Sequence, residues 1–188
     1  MKPSGSINVK ASYSLGVDLA RMGEDSTVMI VVEQPAFDTM LYVVHIEEIN
    51  HSKLTNAIGR IRYLDMKFNF NKILIDSTGL GAAVVDVLKE ELKFKIEDIS
   101  FSMQSKESLY GNLKWWMEKG RLKLPSNLND TIIRKLYYQL LEMRYKFAKN
   151  DKNIMIHHPP RGHDDYPDAL ALACYHFRRN DDYRPTLY

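Results

Sequence analysis

The sequence places aspartates at the ends of three predicted structural elements. Asp18 follows the apolar run of the first predicted strand, and Asp76 closes a later strand. A third group lies in the segment HDDYPD, at the start of the last predicted helix, and comprises Asp164, Asp165 and Asp168. Carboxylates at strand ends and at a helix start can meet at one edge of a sheet, where rigid elements hold them in place. The pattern therefore predicts a single acidic site.

Such a group of carboxylates has the chemistry of a phosphodiester-hydrolysing metal centre. Hydrolysis needs an activated water and a stabilised leaving alkoxide, and a pair of Mg²⁺ or Mn²⁺ ions about 3.5–4 Å apart supplies both. These hard cations take oxygen ligands and keep several waters, so three or four aspartates are enough. Without a cation, the same carboxylates would repel one another and the phosphate. We therefore expect two divalent ions at this site.

Each aspartate also has a purely structural interpretation. Asp18 could close a hairpin, because the segment GVDLARMGED is rich in turn-forming residues. Asp76 could cap the helix that follows Ser-Thr-Gly, and the spacing of Asp165 and Asp168 resembles a capping box. Three independent structural roles explain the pattern less well than one shared site. The spacing leaves open which carboxylates of HDDYPD bind metal.

Other sequence signals narrow the class of protein. The sequence has no GxxxxGK[ST] motif, which disfavours nucleotide hydrolysis by this chain. The histidines of HHPPRGH lack the regular spacing of a zinc site, and the lone Cys174 gives them no support. One cysteine also excludes an intramolecular disulfide and suits a reducing compartment. No run of about 18 apolar residues and no signal peptide is present, so no membrane association is expected.

Charge is distributed unevenly along the chain. The segment from Lys106 to Lys152 has eleven Lys and Arg against five Asp and Glu, a net charge of +6. The total is +2, which leaves −4 for the remainder, where the acidic motifs lie. A solvated surface explains a basic segment by itself. Next to an acidic metal site, it also has the charge needed to hold a polyanion.

The hydrophobic pattern predicts one α/β domain with a central mixed five-stranded sheet flanked by helices. Three antiparallel strands come first, followed by parallel strands with right-handed crossovers. The predicted strands are 13–19, 27–33, 40–48, 72–76 and 96–102; the helices are 53–68, with Ser52 as N-cap, 81–92, 106–119, 129–142 and 166–178; and a β-hairpin lies near 143–157. We expect residues 1–12 to be a linker or cloning remnant, 13–178 the domain, and 179–188 a flexible tail.

Three blocks of sequence resemble the C-terminal nuclease domain of large terminase subunits from tailed viruses: YSLGVDLARMGEDSTVMIVVE, KILIDSTGLGAAVVDVL and HDDYPDALALACYHF. The resemblance covers roughly residues 13–178 and implies a ribonuclease H-like fold that binds two divalent ions. Asp18 and Asp76 would be metal ligands. In the third block, Asp165 is the first candidate, then Asp168, with Asp164 adjacent. The implied activity is cleavage of concatemeric double-stranded DNA during genome packaging.

The resemblance also implies a DNA-binding surface and partners. The hairpin would lie beside the DNA groove, with Arg144, Lys146, Lys149 and Lys152 contacting phosphates without reading sequence. Arg161 is a further candidate contact. Large terminase subunits have an N-terminal packaging ATPase domain, which this chain lacks, and work with a portal and a small terminase subunit in the host-cell cytoplasm. The linker-like start favours an excised domain over a free-standing nuclease.

Two alternative functions remain open at this point. A Holliday-junction resolvase of the same fold would need a dimer and a junction-shaped groove. A non-catalytic DNA-binding module would keep the acids for structural reasons only. Metal-dependent cleavage separates the nuclease from the binding module, and a comparison of linear duplexes with four-way junctions separates the two nucleases.

Overall fold

The structure is a computed structural model, which describes residues 7–20, 26–50, 53–79, 81–147, 154–158 and 163–177. Each element predicted from the sequence has a counterpart in it. The elements are β1 (Ser12–Asp18), β2 (Ser26–Gln34), β3 (Leu41–Asn50), α1 (Leu54–Phe68), β4 (Lys72–Asp76), α2 (Gly81–Leu92), a 3₁₀ turn (Lys93–Lys95), β5 (Ile96–Ile99), α3 (Met103–Glu118), β6 (Leu122–Lys123), α4 (Thr131–Glu142), β7 (Arg144–Phe147), β8 (Ile154–His157) and α5 (Asp165–Tyr175).

The main sheet is mixed, with the strand order β5-β4-β1-β2-β3-β6. Strands β1, β2 and β3 pair antiparallel, whereas β4 pairs parallel with β1 and β5 parallel with β4. This confirms the predicted arrangement of antiparallel strands followed by parallel ones. The sheet has six strands instead of the predicted five, because β6 pairs with the outer edge of β3. A strand of two residues is too short to show a period-2 pattern, so the sequence did not reveal it.

Helices cover both faces of this sheet. Alternate side chains of a strand point to opposite faces, and Leu15 and Val17 of β1 pack in a core with α1 and α2. Val28 and Ile30 of β2 pack in a second core with α3, α4 and α5. The fold is therefore a three-layer sandwich, and β1 at its centre contributes to both interfaces. In the described part of the chain, no helix combines the length and apolarity needed to cross a bilayer.

Helix α5 lies directly against the backbone of β1. A Cβ atom added to Gly16 would be 2.0 Å from the carbonyl oxygen of Ala169 and 2.4 Å from the backbone nitrogen of Ala173. Two residues earlier on the same face of β1, the Ser14 hydroxyl donates a hydrogen bond to the Ala173 carbonyl. Only small side chains allow this approach. It aligns α5 antiparallel to β1, with the start of the helix near the end of the strand.

Two helix starts differ from those predicted. Lys53 occupies the N-cap position of α1 and makes no side-chain cap there, whereas Ser52, the predicted cap, lies outside the described residues. Helix α3 begins at Met103 instead of residue 106, because Ser102 and Ser105 cap its first turn reciprocally. Their hydroxyls accept hydrogen bonds from the backbone nitrogens of Ser105 (3.1 Å) and Ser102 (2.8 Å). As a result, Lys106 lies near the start of a well-formed helix.

A separate two-stranded ladder forms the predicted hairpin. Strands β7 and β8 pair antiparallel from Arg144 opposite His157 to Phe147 opposite Ile154. Strand β8 packs against α3, on the face of the sheet that carries α5. Residues 148–153 lie outside the described residues, and with them the predicted DNA contacts Lys149 and Lys152.

Candidate metal centre

Asp18 and Asp76 end two neighbouring parallel strands on the same face of the sheet. Val17 of β1 pairs with Ile75 of β4, so the next residue of each strand is an aspartate in adjacent register. Val17 and Ile75 both pack towards α1 and α2. The period-2 alternation of a strand therefore directs Asp18 and Asp76 to the opposite face, where α5 begins.

The Asp76 carboxylate is fixed by the turn that follows it. Its Oδ1 atom accepts hydrogen bonds from the backbone nitrogen (2.9 Å) and the hydroxyl (2.6 Å) of Thr78. The Thr78 hydroxyl oxygen also accepts a hydrogen bond from the backbone nitrogen of Phe101 (3.0 Å), just before α3. A Cβ atom on Gly81 would be 1.9 Å from the Asp76 carbonyl oxygen. Asp76 thus closes a turn at the strand end and does not cap α2, which begins at Gly81.

The start of α5 adds the third group of carboxylates. Asp168 is buried, with 3% of its surface exposed. Its Oδ1 atom accepts a hydrogen bond from the Tyr110 hydroxyl (2.6 Å), and its Oδ2 atom accepts one from the Lys106 ammonium (2.7 Å). The same ammonium donates to Oδ2 of Asp164 (2.8 Å). Asp164 occupies the N-cap position, yet its side chain makes no capping hydrogen bond to the described first turn of α5.

These carboxylates influence one another's protonation. Burial raises the pKa of Asp18 well above its ordinary value, and the negative charges of Asp168, Asp165, Asp76 and Asp164 raise it further. Burial is also the main reason why the pKa of Asp168 rises to about 6, although Lys106 opposes this shift. Burial disfavours charge on Lys106, but the neighbouring carboxylates outweigh it and raise the pKa of the ammonium. The site thus holds more negative charge than its own cation balances.

The carboxylates line one open cleft with a volume of about 730 Å³. Its walls include Asp18, Asp76, Thr78, Lys106, Asp165 and Asp168. Two histidines lie at its edge, with His163 Nδ1 3.8 Å from Oδ2 of Asp165 and His158 Nε2 3.9 Å from Oδ1 of Asp164. The structure thus brings all five predicted acidic residues to one cleft, and His163 close to them.

The donor set suits a hard divalent cation. Carboxylate oxygens are the ligands that Mg²⁺ and Mn²⁺ prefer. A cation would stabilise the ionised form of Asp18, whose pKa is raised by burial and, in addition, by repulsion from the neighbouring carboxylates. Among the described residues, no three His, Cys, Asp or Glu side chains form a ready-made metal-binding group. The Lys106 ammonium lies between Asp164 and Asp168 and holds these two carboxylates around itself. The donors fit the metal in chemistry and charge, and Lys106 already occupies part of the cluster.

Sequence reasoning did not identify three residues that donate hydrogen bonds to the carboxylates of this cleft: Thr78, Lys106 and Tyr110. Lys106 and Tyr110 are four residues apart, which places them on one face of a helix, and this spacing was visible in the sequence. Thr78 follows Asp76 by two residues, which is the spacing of a side-chain turn. Neither pattern indicates a partner on a distant element. The contacts with Asp164 and Asp168 therefore became visible only in the fold.

The structure gives less information about the predicted DNA contacts. The Arg144 guanidinium donates to the carbonyl oxygens of Leu141 and Met143, both at 3.0 Å, at the end of α4. Lys146 lies in β7, and Arg161 lies outside the described residues, as do Lys149 and Lys152.

A mixed sheet in this strand order, with helices on both faces and aspartates ending its adjacent first and fourth strands, defines a protein of the ribonuclease H-like fold. The chain belongs to the family described as the Terminase RNaseH-like domain, which matches residues 15–177. That match covers all of the sheet except the first residues of β1.

Individual relatives agree with this assignment. The chain is similar to the large terminase subunit of Thermus virus P23-45, with 27% identity over 92% of this chain and 33% of the relative. It thus spans about a third of that relative's length. The large terminase nuclease of phage G20c, solved with bound magnesium, superposes with a TM-score of 0.73 at 24% identity over 90% of this chain and 83% of that one. The nuclease domain of the bacteriophage SPP1 large terminase, solved with bound manganese, gives a TM-score of 0.61 at 16% identity over 94% and 95%.

Proposed function

We propose that this chain is the nuclease domain of a large terminase subunit, a divalent-metal-dependent endonuclease that hydrolyses phosphodiester bonds of double-stranded DNA. The main observation in its support is the convergence of Asp18, Asp76 and the carboxylates at the start of α5 in one open cleft. These side chains come from the ends of two rigid strands and from a helix packed on one of them. A site that must position a phosphate and a water requires such rigidity.

In this proposal, the carboxylates act as the metal-binding residues. Asp18 and Asp76 are ligands, Asp165 is the first candidate for a third, and Asp168 and Asp164 are the alternatives. Two bound divalent ions would supply an activated water and stabilise the leaving oxygen. The chain's own contribution is to fix the ligands: Thr78 holds the Asp76 carboxylate, and the contact of Gly16 with α5 sets the distance between the strand and helix groups.

The relatives support the proposed metal and partners. The nuclease of phage G20c was solved with bound magnesium, cobalt or zinc and that of SPP1 with manganese, which supports a divalent metal as the cofactor. Among these metals, we propose Mg²⁺ or Mn²⁺ because the donors are carboxylates. The matched relatives are large terminase subunits of Thermus viruses, so we propose that the substrate is concatemeric viral DNA in the host-cell cytoplasm. A packaging ATPase domain, a portal and a small terminase subunit are the proposed partners. We propose residues 13–178 as the nuclease domain; the tail predicted at 179–188 lies outside the described residues.

Cleavage of supercoiled plasmid DNA tests the proposed activity. We expect nicked and linear products with Mn²⁺ or Mg²⁺, and none with excess EDTA. The carboxylates alone supply no Lewis acid that could activate the water or stabilise the leaving oxygen. Gel electrophoresis over a time course measures both. Re-adding Mn²⁺ to the EDTA-treated protein is the control and should restore cleavage.

Two outcomes of this assay would contradict the proposal. Cleavage that persists in EDTA would remove the metal from the reaction. DNA binding without cleavage under any divalent ion would favour the non-catalytic binding module. A strong preference for four-way junctions over linear duplexes of equal length would instead favour the resolvase.

The proposed hairpin contacts predict a change in the salt dependence of DNA binding. Each phosphate contact adds about 0.9 to the slope of log affinity against log salt. Reversing the charge at Lys146 and Lys149 should therefore reduce that slope by about 2, measured by fluorescence anisotropy on a duplex. The matched control reverses Lys53 and Lys67, which lie near the two ends of α1 on the opposite face of the sheet. Equal slopes for both double variants would place the DNA elsewhere.

A further inference from the structure

The Lys106 ammonium contacts three side chains from two parts of the chain. It donates to Asp168 (2.7 Å) and Asp164 (2.8 Å) at the start of α5. Its Nζ atom lies 4.8 Å from the centre of the Phe101 ring, in a cation–π contact. Only 20% of the Lys106 side chain is exposed. The ammonium therefore has a fixed position, unlike that of a solvated lysine in a transient surface ion pair.

The backbone of Lys106 is fixed as firmly as its side chain. The reciprocal cap of Ser102 and Ser105 forms the first turn of α3, and the Lys106 backbone nitrogen donates to the Ser102 carbonyl (2.9 Å). One turn later, Tyr110 is buried and donates its hydroxyl to Oδ1 of Asp168. One face of α3 therefore engages both oxygens of the Asp168 carboxylate.

This arrangement divides the acidic cluster into two parts. At Asp168 and Asp164, the Lys106 ammonium lies where a cation would otherwise bind. Asp18 and Asp76 lie at the strand ends, and the described hydrogen bonds of Asp76 come from neutral donors, the hydroxyl and amide of Thr78. A divalent ion that bound Asp168 would have to displace the ammonium or remain close to it against charge repulsion.

We propose that Lys106 is a built-in counter-ion that competes with divalent metal for Asp168 and Asp164. It thereby confines the metal ions to the part of the cleft formed by Asp18, Asp76 and Asp165. Lys106 and Tyr110 are positioning residues in this scheme, and so is Asp168. The inference rests on the proposed use of divalent metal, and it identifies Asp165 as the ligand from the overfull HDDYPD segment.

Calorimetric titration with Mn²⁺, in the absence of DNA, tests this competition. Lys106→Met removes the ammonium but keeps an unbranched side chain. We expect it to bind Mn²⁺ about tenfold more tightly or to take up an additional ion, a change of the size that groups next to metal ligands cause. Lys106→Arg keeps the positive charge and should restore the wild-type isotherm.

Lys95→Met is the matched control. Lys95 donates to both oxygens of Asp65 at 2.9 Å, and its side chain is also 20% exposed, but it lies on the α1 side of the sheet. Its loss should leave the Mn²⁺ isotherm unchanged. An unchanged isotherm for Lys106→Met as well would overturn the inference.

A second variant keeps the test decisive if Lys106→Met fails to fold. Lys106→Met with Asp164→Asn removes one positive and one negative charge, so the net charge of the cleft stays that of the wild type. Tighter Mn²⁺ binding in this double variant supports direct competition at Asp168. Wild-type affinity would overturn it, because a general charge effect would then explain the single variant. A wild-type protein that binds no Mn²⁺ would instead contradict the proposed function.

Discussion

Asp18→Asn should abolish DNA cleavage and, at the same time, make the metal-free protein more stable. The substitution keeps the size of the side chain but removes the negative charge of a proposed metal ligand. We expect a loss of at least about a thousandfold in rate, about 4 kcal/mol of transition-state stabilisation. Single-turnover cleavage of plasmid DNA with Mn²⁺ measures this loss.

The gain in stability follows from the electrostatics of the cleft. Burial and the neighbouring carboxylates raise the pKa of Asp18 above its ordinary value of 3.8, so its ionised form is disfavoured in the folded state. The resulting penalty is absent below about pH 3.8, grows as the pH rises towards the raised pKa, and is then constant. Near pH 7, Asp18→Asn should therefore raise the melting temperature by about 2–4 °C for each kcal/mol of relieved repulsion.

Asp98→Asn serves as the control for both effects. Asp98 lies on β5 in an exposed ion pair with Lys89, away from the cleft. Its substitution should leave the cleavage rate unchanged and give no stability gain. If Asp18→Asn retained wild-type cleavage, Asp18 would not be a ligand. If it lowered the melting temperature without metal at pH 7, the cluster would not be a source of repulsion.

Gly16→Ala should strongly destabilise the fold. Among the described glycines, leaving aside those in the turn after Asp76, we expect substitution by alanine to have its largest effect at this position. The new Cβ atom would be 2.0 Å from the Ala169 carbonyl oxygen, and a backbone atom cannot rotate away as a flexible side chain can. We expect a loss of about 3 kcal/mol in the free energy of unfolding, or about 6–12 °C in melting temperature. Thermal unfolding followed by circular dichroism measures it.

The same substitution at Gly59 provides the matched control. Gly59 lies inside α1, and a Cβ atom there meets no described heavy atom within 4 Å. Gly59→Ala should stabilise the helix by about 0.5–1 kcal/mol, the usual gain for this exchange within a helix. Opposite signs at the two glycines would show that the effect at Gly16 comes from the contact with α5. A neutral result at Gly16 would mean that α5 can move away without loss.

Much of the fold was predictable because its strands and helices are long and strongly patterned. The buried apolar run of β2 and the periodic apolar face of α1 predicted the bounds of both elements to within one residue. The short strand β6 and the early start of α3 were not predicted. Two residues carry no periodicity, and a cap in which serine replaces the usual glutamate is a weak signal.

The acidic site was only partly predictable, for a different reason. Strand ends and a helix start are local features, so Asp18, Asp76 and the HDDYPD segment could be proposed from the sequence. The contacts of Lys106 and Tyr110 with Asp168 join residues about sixty positions apart. No local pattern encodes such a pairing. From the sequence alone, Lys106 is therefore interpreted as a surface cation of the basic segment.

The contact between Gly16 and α5 also constrains how this family can diverge. Because a backbone carbonyl lies where a Cβ atom would go, a larger residue at position 16 requires the helix to shift. Any such shift also moves Asp165 and Asp168, which lie on the same helix, relative to Asp18 on the same strand as Gly16. A change in the packing at position 16 would therefore also change the geometry of the acidic cluster. Among homologues, position 16 should vary only together with the alanines that face it.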